Sequence, residues 1–243
     1  MEINRISLSE VDSTNNYAAK LLETERIEHG TVISAWSQTH GRGQRSNTWQ
    51  AEAGKNITAS WILHLKSPQF EEVVLLNKAM ALAIHDTITS WIPNHQTSIK
   101  WPNDIYVGLQ KIAGMLIEIQ WHPNKSATLI AGIGINVFQV NNLTSNATSV
   151  LLKNSEFALS LDDAILELNK NIRSRFSQWE QGFLAEIDRY YHQFLLGKNN
   201  NRKFLVNQQE IAGIVTGVDG AGRLMLDVGG ETKLFQSGEI IWK

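Results

Sequence analysis

Apolar positions along this chain fall into two rhythms that take turns. Runs that alternate, or are continuously apolar and rich in β-branched residues, predict strands over Ile3–Leu8, Thr31–Ser37, Ile57–Leu65, Lys111–Trp121 and Ala127–Phe138. Between them, spacing near 3.6 predicts helices over Tyr17–Leu22, Phe70–Ile92, Leu161–Phe176 and Trp179–Leu196. The first follows the cap candidates Asp12-Ser13-Thr14-Asn15, and Glu71 and Glu72 suit the positive end of the second. Ile99–Trp101 and Asp104–Val107 read as extended pieces around Pro102, with Gly108-Leu109-Gln110 as a turn. The short His122–Lys125 link would close a hairpin, and the strand after Lys125 would be an exposed edge open to pairing. These elements predict an α/β (α+β) fold with a mixed sheet.

The rhythm stops twice. From Gln38 to Asn56, Gly, Asn, Ser and Arg replace apolar residues, and loops of this length in compact domains usually serve function. At Gly197–Arg202 the helical pattern gives way to five short runs, Lys203–Asn207, Gln209–Val218, Arg223–Val228, Glu231–Gln236 and Glu239–Trp242. They predict a small β-barrel, too short to be secure alone, leaning on the larger part. The expected division is therefore residues 1–196 and 197–243.

Composition narrows the chemistry. With 243 residues, 42% hydrophobic and 19% charged, the chain can bury a sizeable core. It has no Cys, which excludes disulfides, thiolate metal sites and thioester intermediates. A net charge of −2 gives no broad positive field for DNA. No apolar stretch is long enough to span a bilayer, and Met1 to Ile6 lacks the charged-then-apolar order of a signal peptide. A cytoplasmic protein is expected. The seven histidines lack ligand spacing, and neither a Gly-x-Ser-x-Gly elbow nor a His-Glu-x-x-His helix occurs.

Three segments could carry chemistry. In Gln38-Thr-His-Gly41-Arg42-Gly43-Gln44-Arg45-Ser-Asn-Thr-Trp49, two glycines let backbone N–H groups approach an anion while a guanidinium clamps it. It is neither a P-loop nor a dinucleotide fingerprint. A solvated surface loop also accounts for it, although Trp49 suits a stacking surface better. In Lys100-Trp101-Pro102-Asn103-Asp104-Ile105, followed by Lys111 to Glu118, polar side chains crowd a rigid stretch. Lys111 there either snorkels or meets an anion. Gly132-Ile133-Gly134-Ile135-Asn136 puts glycines inside a strand, where a close approach or mere packing would explain them.

Taken in order with Asp12–Asn15, these segments resemble the biotin–protein ligase family, over about residues 1–190. The terminal strands are similar to that family's SH3-like C-terminal domain. The resemblance implies a catalytic domain of class II aminoacyl-tRNA synthetase type that forms biotinyl-5′-AMP from biotin, ATP and Mg²⁺. Biotin is then transferred to a lysine of a biotin carboxyl carrier domain. It implies Ser13, Thr14, Asn15 and Gln38 on biotin, with Gly41, Gly43, Gln44 and Gly114 beside it. Arg42 and Lys111 would bridge the biotin carboxylate and the α-phosphate, Trp49 and Asn136 would meet adenine, and Asn103 and Asp104 would position ATP with its Mg²⁺. No separate metal site is implied. Asp104 is also a conceivable base for the acceptor lysine. The chain resembles the monofunctional type without a DNA-binding domain, and homodimers are common in the family.

One departure matters. Family loops often read Gly-Arg-Gly-Arg-x-Gly-Arg before the Trp, whereas here Gln44, Ser46 and Asn47 stand at three of those places. Fewer cations and N–H contacts predict weaker retention of the adenylate. A lipoate–protein ligase and a non-catalytic adenylate-binding regulatory protein are the alternatives.

Overall fold

A computed structural model describes residues 3–144 and 146–243; Met1 and Glu2, part of the stretch read for a leader, lie outside them. The chain runs β1 (Arg5–Val11), α1 (Thr14–Thr24), β2 (Thr31–Gln38), β3 (Asn56–Leu65), α2 (Phe70–Trp91), β4 (Thr97–Lys100), β5 (Asp104–Val107), β6 (Gln110–Trp121) and β7 (Ala127–Asn136). Then follow α3 (Val150–Lys153), α4 (Leu161–Glu180), α5 (Leu184–Gln193), β8 (Asn201–Val206), β9 (Gln209–Val218), β10 (Leu224–Val228), β11 (Glu231–Phe235) and β12 (Ile240–Trp242).

The first seven strands form one sheet in the order β1-β2-β3-β7-β6-β5-β4. Only β1 and β2 are parallel, because α1 crosses between them; the rest pair antiparallel. The mixed sheet was legible in the sequence. The exposed edge was not: β7, the strand after Lys125, is central, paired along its length with β3 and β6, and the edges are β1 and β4. A continuous apolar run suits the centre of a sheet covered on both faces, and that reading fits Ala127–Ile135 better.

Side-chain parity sorts the sheet's two faces. Val32, Ala59, Trp61, Leu63, Leu129, Ala131, Ile133 and Ile135 join the large core with the apolar face of α2. Ile33, Ile62 and Ile130 turn the other way and pack on Ala18 of α1. The predicted helix Trp179–Leu196 begins later than expected: Trp179 belongs to α4, whose indole N–H donates to the Glu72 carbonyl, and Gly182 at φ +81° makes the break before α5.

The C-terminal strands form an antiparallel sheet in the order β11-β10-β9-β8-β12. Its apolar residues Phe204, Val215, Val218, Leu224, Leu226 and Phe235 are continuous with the large core, so the small part does lean on the larger. Polar contacts fasten the junction. Buried Lys78 of α2 reaches Asp188 at 2.6 Å and the Val218 carbonyl at 3.2 Å, and the Trp101 indole donates to the Gly222 carbonyl at 2.9 Å. No helix among the described residues is long and apolar enough to cross a membrane.

Candidate active site

On the α1 side of the sheet, beyond the Ala18–Ile33 packing, the central strands carry small or polar residues: Thr58 and Ser60 on β3, Gly132 and Gly134 on β7. The absence of bulk leaves a cleft of about 320 Å³, within the range of small-molecule sites. The start of α1 dips into it. Ser13, Thr14 and Asn15 are all buried there. The Ser60 hydroxyl lies 2.7 Å from Thr14 Oγ1 and 2.6 Å from Asn15 Oδ1, and the Thr14 N–H donates to Gln38 Oε1 at 2.8 Å. Gly132 is where Asn15 crosses the strand, and a Cβ there would overlap its carboxamide. Gly134 performs the same service for the Trp49 indole. The Gly-x-Gly pattern therefore marks two close approaches, one by a side chain of α1 and one by the loop.

The Gln38–Asn56 loop folds into a narrow flap, with Trp49 N–H donating to the Gly41 carbonyl and Gly43 N–H to the Asn47 carbonyl. Arg42 projects from it. Its guanidinium grips both oxygens of Glu118 on β6, at 2.7 and 3.2 Å, and also donates to Asn16 Oδ1 at 2.7 Å. Across the cleft Lys111 Nζ lies 2.7 Å from Asp104 Oδ1 and 5.7 Å from the Trp49 ring centroid. Gly114 makes room for that pair, since a Cβ would meet both partners near 3 Å. The Lys111 backbone is pinned on both sides, its N–H donating to Asn146 O and its carbonyl accepting from Thr148 N–H. Asn103 donates to the Met115 carbonyl and so ties the Pro102 turn to β6.

All the residues singled out in the sequence line this cleft except Gly41 and Asn136. Gly41 lies behind the flap, against the Trp49 carbonyl. Asn136 is 4% exposed and donates to the Thr148 carbonyl, which makes it a brace for the segment that holds Lys111. Other residues, some within the segments singled out, were given no role of their own in the sequence. Glu118 holds Asn15 and Arg42 together, with Asn15 Nδ2 donating to it at 2.8 Å. Its position in a strand of apolar neighbours was the available signal. Lys100 lies 3.1 Å from the Tyr106 hydroxyl and faces the Tyr106 and Trp242 rings. Burial lowers its pKa, against the opposing pull of Asp104, and burial raises that of Tyr106. The C-terminal sheet adds Ser237, Gly238 and Ile240–Trp242 to the lining. The indole N–H groups of Trp49 and Trp242 are buried without an acceptor among the described residues, which leaves two donors for a ligand bearing acceptors.

Two of the cations that line the cleft, Arg42 and Lys111, thus each sit on a carboxylate that a bound anion could replace. Comparison with known proteins agrees with this chemistry. The chain is 28% identical to the biotin–[acetyl-CoA-carboxylase] ligase of Mycobacterium tuberculosis, over 87% of this chain and 79% of that one. It is 26% identical to the bifunctional ligase/repressor BirA of Escherichia coli, over 95% and 71%. The structure of biotin protein ligase from Aquifex aeolicus in complex with biotin and ATP superposes with a TM-score of 0.79 at 25% identity, covering 99% of this chain and 98% of that one. Residues 8–136, which hold all the cleft residues discussed except those of the C-terminal sheet, match the family described as Biotin/lipoate A/B protein ligase, and the chain belongs to that family.

Proposed function

We propose that the chain is an ATP-dependent biotin–protein ligase that forms biotinyl-5′-AMP and passes the biotinyl group to a lysine of a biotin carboxyl carrier domain. The observation that carries this reading is the convergence of Arg42 and Lys111 on one cleft whose inner end is lined by the polar groups of Ser13, Thr14 and Asn15. The names of its relatives and the biotin and ATP of the Aquifex complex support the same reading.

In the first step a biotin carboxylate oxygen attacks the α-phosphorus and pyrophosphate leaves. Two anions must come together, and the barrier falls when fixed cations meet the charge that develops. Arg42, a planar fork, suits two oxygens at once, and Lys111 supplies a compact charge opposite it. Glu118 and Asp104 yield their cations to the substrates, so the ligand-free site carries no unpaired charge at either position. In the second step the acceptor amine attacks the acyl carbon, AMP leaves, and the amine's proton must be taken up. Asp104, freed from Lys111, is the candidate acceptor for that proton. Full-rate transfer from preformed adenylate by Asp104→Asn would eliminate this role.

Ser13, Thr14, Asn15 and Gln38, with Gly43, Gln44 and Gly114, surround the biotin half of the cleft, and Trp49 with Asn103 the nucleotide half. Among the described residues no three His, Asp or Glu side chains converge as a metal site. Mg²⁺ would therefore be held mainly by ATP phosphates and water, with the oxygens of Asp104 and Asn103 within the cleft, and would offset phosphate charge. Residues 1–196 form the catalytic unit in this reading, and 197–243 a second unit that closes its rim.

ATP–pyrophosphate exchange with biotin, lipoate, octanoate or no acid tests the proposal directly. Exchange with biotin alone, lost in Lys111→Ala, is expected. Exchange with lipoate instead would assign the sister activity, and none with any acid would leave a binding protein.

A further inference from the structure

The flap that carries Arg42 is held to the main sheet by Arg42 itself, through Glu118 and Asn16, and the C-terminal sheet holds it from the other side. Arg45, whose backbone sits at φ +57°, turns its guanidinium away from the cleft's carboxylates and donates to the backbone carbonyl of Ser237, in the turn between β11 and β12. The Ser237 hydroxyl donates in turn to Gln44 Oε1 at 3.1 Å. Gly238, next in the turn, stands at φ +82°, and the Arg45 guanidinium occupies the space its Cβ would need. The two segments are almost two hundred residues apart in the chain, yet consecutive residues of one meet consecutive residues of the other.

We propose that the Ser237–Gly238 turn is a latch that holds the flap shut, with Gln44 and Arg45 as positioning residues for Arg42. This deepens the ligase reading and rests on it for the identity of the retained ligand. Gln44 and Arg45 touch neither Glu118 nor Lys111; they act by fixing the loop from which Arg42 projects. Without the latch, the flap keeps its internal bonds among Gly41, Gly43, Gln44, Asn47 and Trp49 and the grip of Arg42 on Glu118 and Asn16, which a bound anion would loosen. The contacts missing where Gln44, Ser46 and Asn47 replace arginines and a glycine are thereby offset from outside the loop. Retention of the adenylate becomes a property of the C-terminal sheet as much as of the flap.

A double-mutant cycle tests this in the full chain. Arg45→Met keeps the stem and removes the fork; Gly238→Ala fills the space beneath it. Hydrogen exchange at the Gly43 and Trp49 amides, measured without ligand, reports flap opening, and the dissociation rate of biotinyl-5′-AMP reports retention. Arg45→Met is expected to speed both by about tenfold, as loss of one or two surface hydrogen bonds acts mainly on the off-rate. Ser237→Ala should speed them by less. Gly238→Ala should add little to Arg45→Met, because the contact it disrupts is already gone. Additive effects, or unchanged amide exchange and dissociation in Arg45→Met, would overturn the latch. Faster amide exchange in Arg45→Met, in a protein that forms no adenylate from biotin, would uphold the latch and reject the ligase reading.

Discussion

The two sides of the main sheet use ion pairs in opposite ways. On the cleft side, Arg42–Glu118 and Lys111–Asp104 are each partly open to solvent on both partners, and in the proposed reaction a bound anion takes the place of each carboxylate. On the helical side, Lys78 is 5% exposed at its side chain and bonds to Asp188 and a backbone carbonyl, while Arg175 grips Asp86 with two nitrogens. The hydrogen bonds and charges of His192 and Lys78 hold the Asp188 carboxyl down at about 2, although burial alone would raise it. These pairs fasten α4, α5 and the C-terminal sheet to α2. An ion pair therefore contributes to stability where its partners cannot be replaced, and to function where they can.

Mutation should separate the two classes. The largest effect is expected for Lys111→Ala, with pyrophosphate exchange reduced by about a hundredfold to a thousandfold, as for loss of one charge-stabilising donor, and unchanged thermal unfolding. Asp188→Asn should do the reverse. It leaves a buried lysine short of its counter-charge and should cost about 2 kcal/mol in urea unfolding, discounted from the fully buried case because Asp188 is 42% exposed, with exchange activity kept. Destabilisation by Lys111→Ala of similar size would erase the distinction.

The comparison sharpens within the cleft. Gly132→Ala would push against Asn15 and Gly134→Ala against Trp49. The first should raise the KM for biotin and the second the KM for ATP, each by about tenfold, equivalent to roughly 1.4 kcal/mol. Parallel changes in both constants would mean the two halves are not separate.

These glycines show how much was legible in the sequence. Gly-x-Gly inside a strand left close approach and packing both open, and only the structure shows that Asn15 and Trp49 make the approach. The chemistry-bearing segments could be read because each is local: Ser13–Asn15, Gly41–Trp49, Lys100–Asp104, Lys111. Their convergence depends on strand order, and β7 as the central strand was misread as an edge. Asn136 pointed to the right region, but its hydrogen bond to the Thr148 carbonyl could not be read from strand spacing. Ser237–Trp242 carried a strand signal at Glu239–Trp242 but none of function. A Ser-Gly turn reads as punctuation until the fold sets it against Arg45.

The smallest expected effect concerns pH. His29 Nδ1 accepts the backbone N–H of His64 at 3.0 Å, a bond that a proton on that nitrogen would abolish. Burial lowers the His29 pKa and prevails over Glu180 and a backbone hydrogen bond at His64, which raise it; the charges of His64 and Arg173 add to the lowering. The unfolded chain thus binds its proton first. Stability is fully present above about pH 6.5, falls as the pH drops through that value, and levels off below the folded-state pKa. His29→Gln should flatten part of that slope in urea unfolding between pH 7.5 and 5, about the range in which histidine titrates. An unaltered slope would place the acid sensitivity elsewhere.

Strand parity has one more outcome. On β3 and β7, even-numbered residues toward the cleft end build the site and their odd-numbered neighbours build the core. One residue added within either strand would send Trp61 or Ile133 into the cleft and Ser60 or Gly132 into the oil. Length is therefore frozen along these strands even where composition could drift. In the Pro123–Ser126 bend, where Lys125 already takes φ +64° at the surface, the chain can lengthen without changing the phase of either strand.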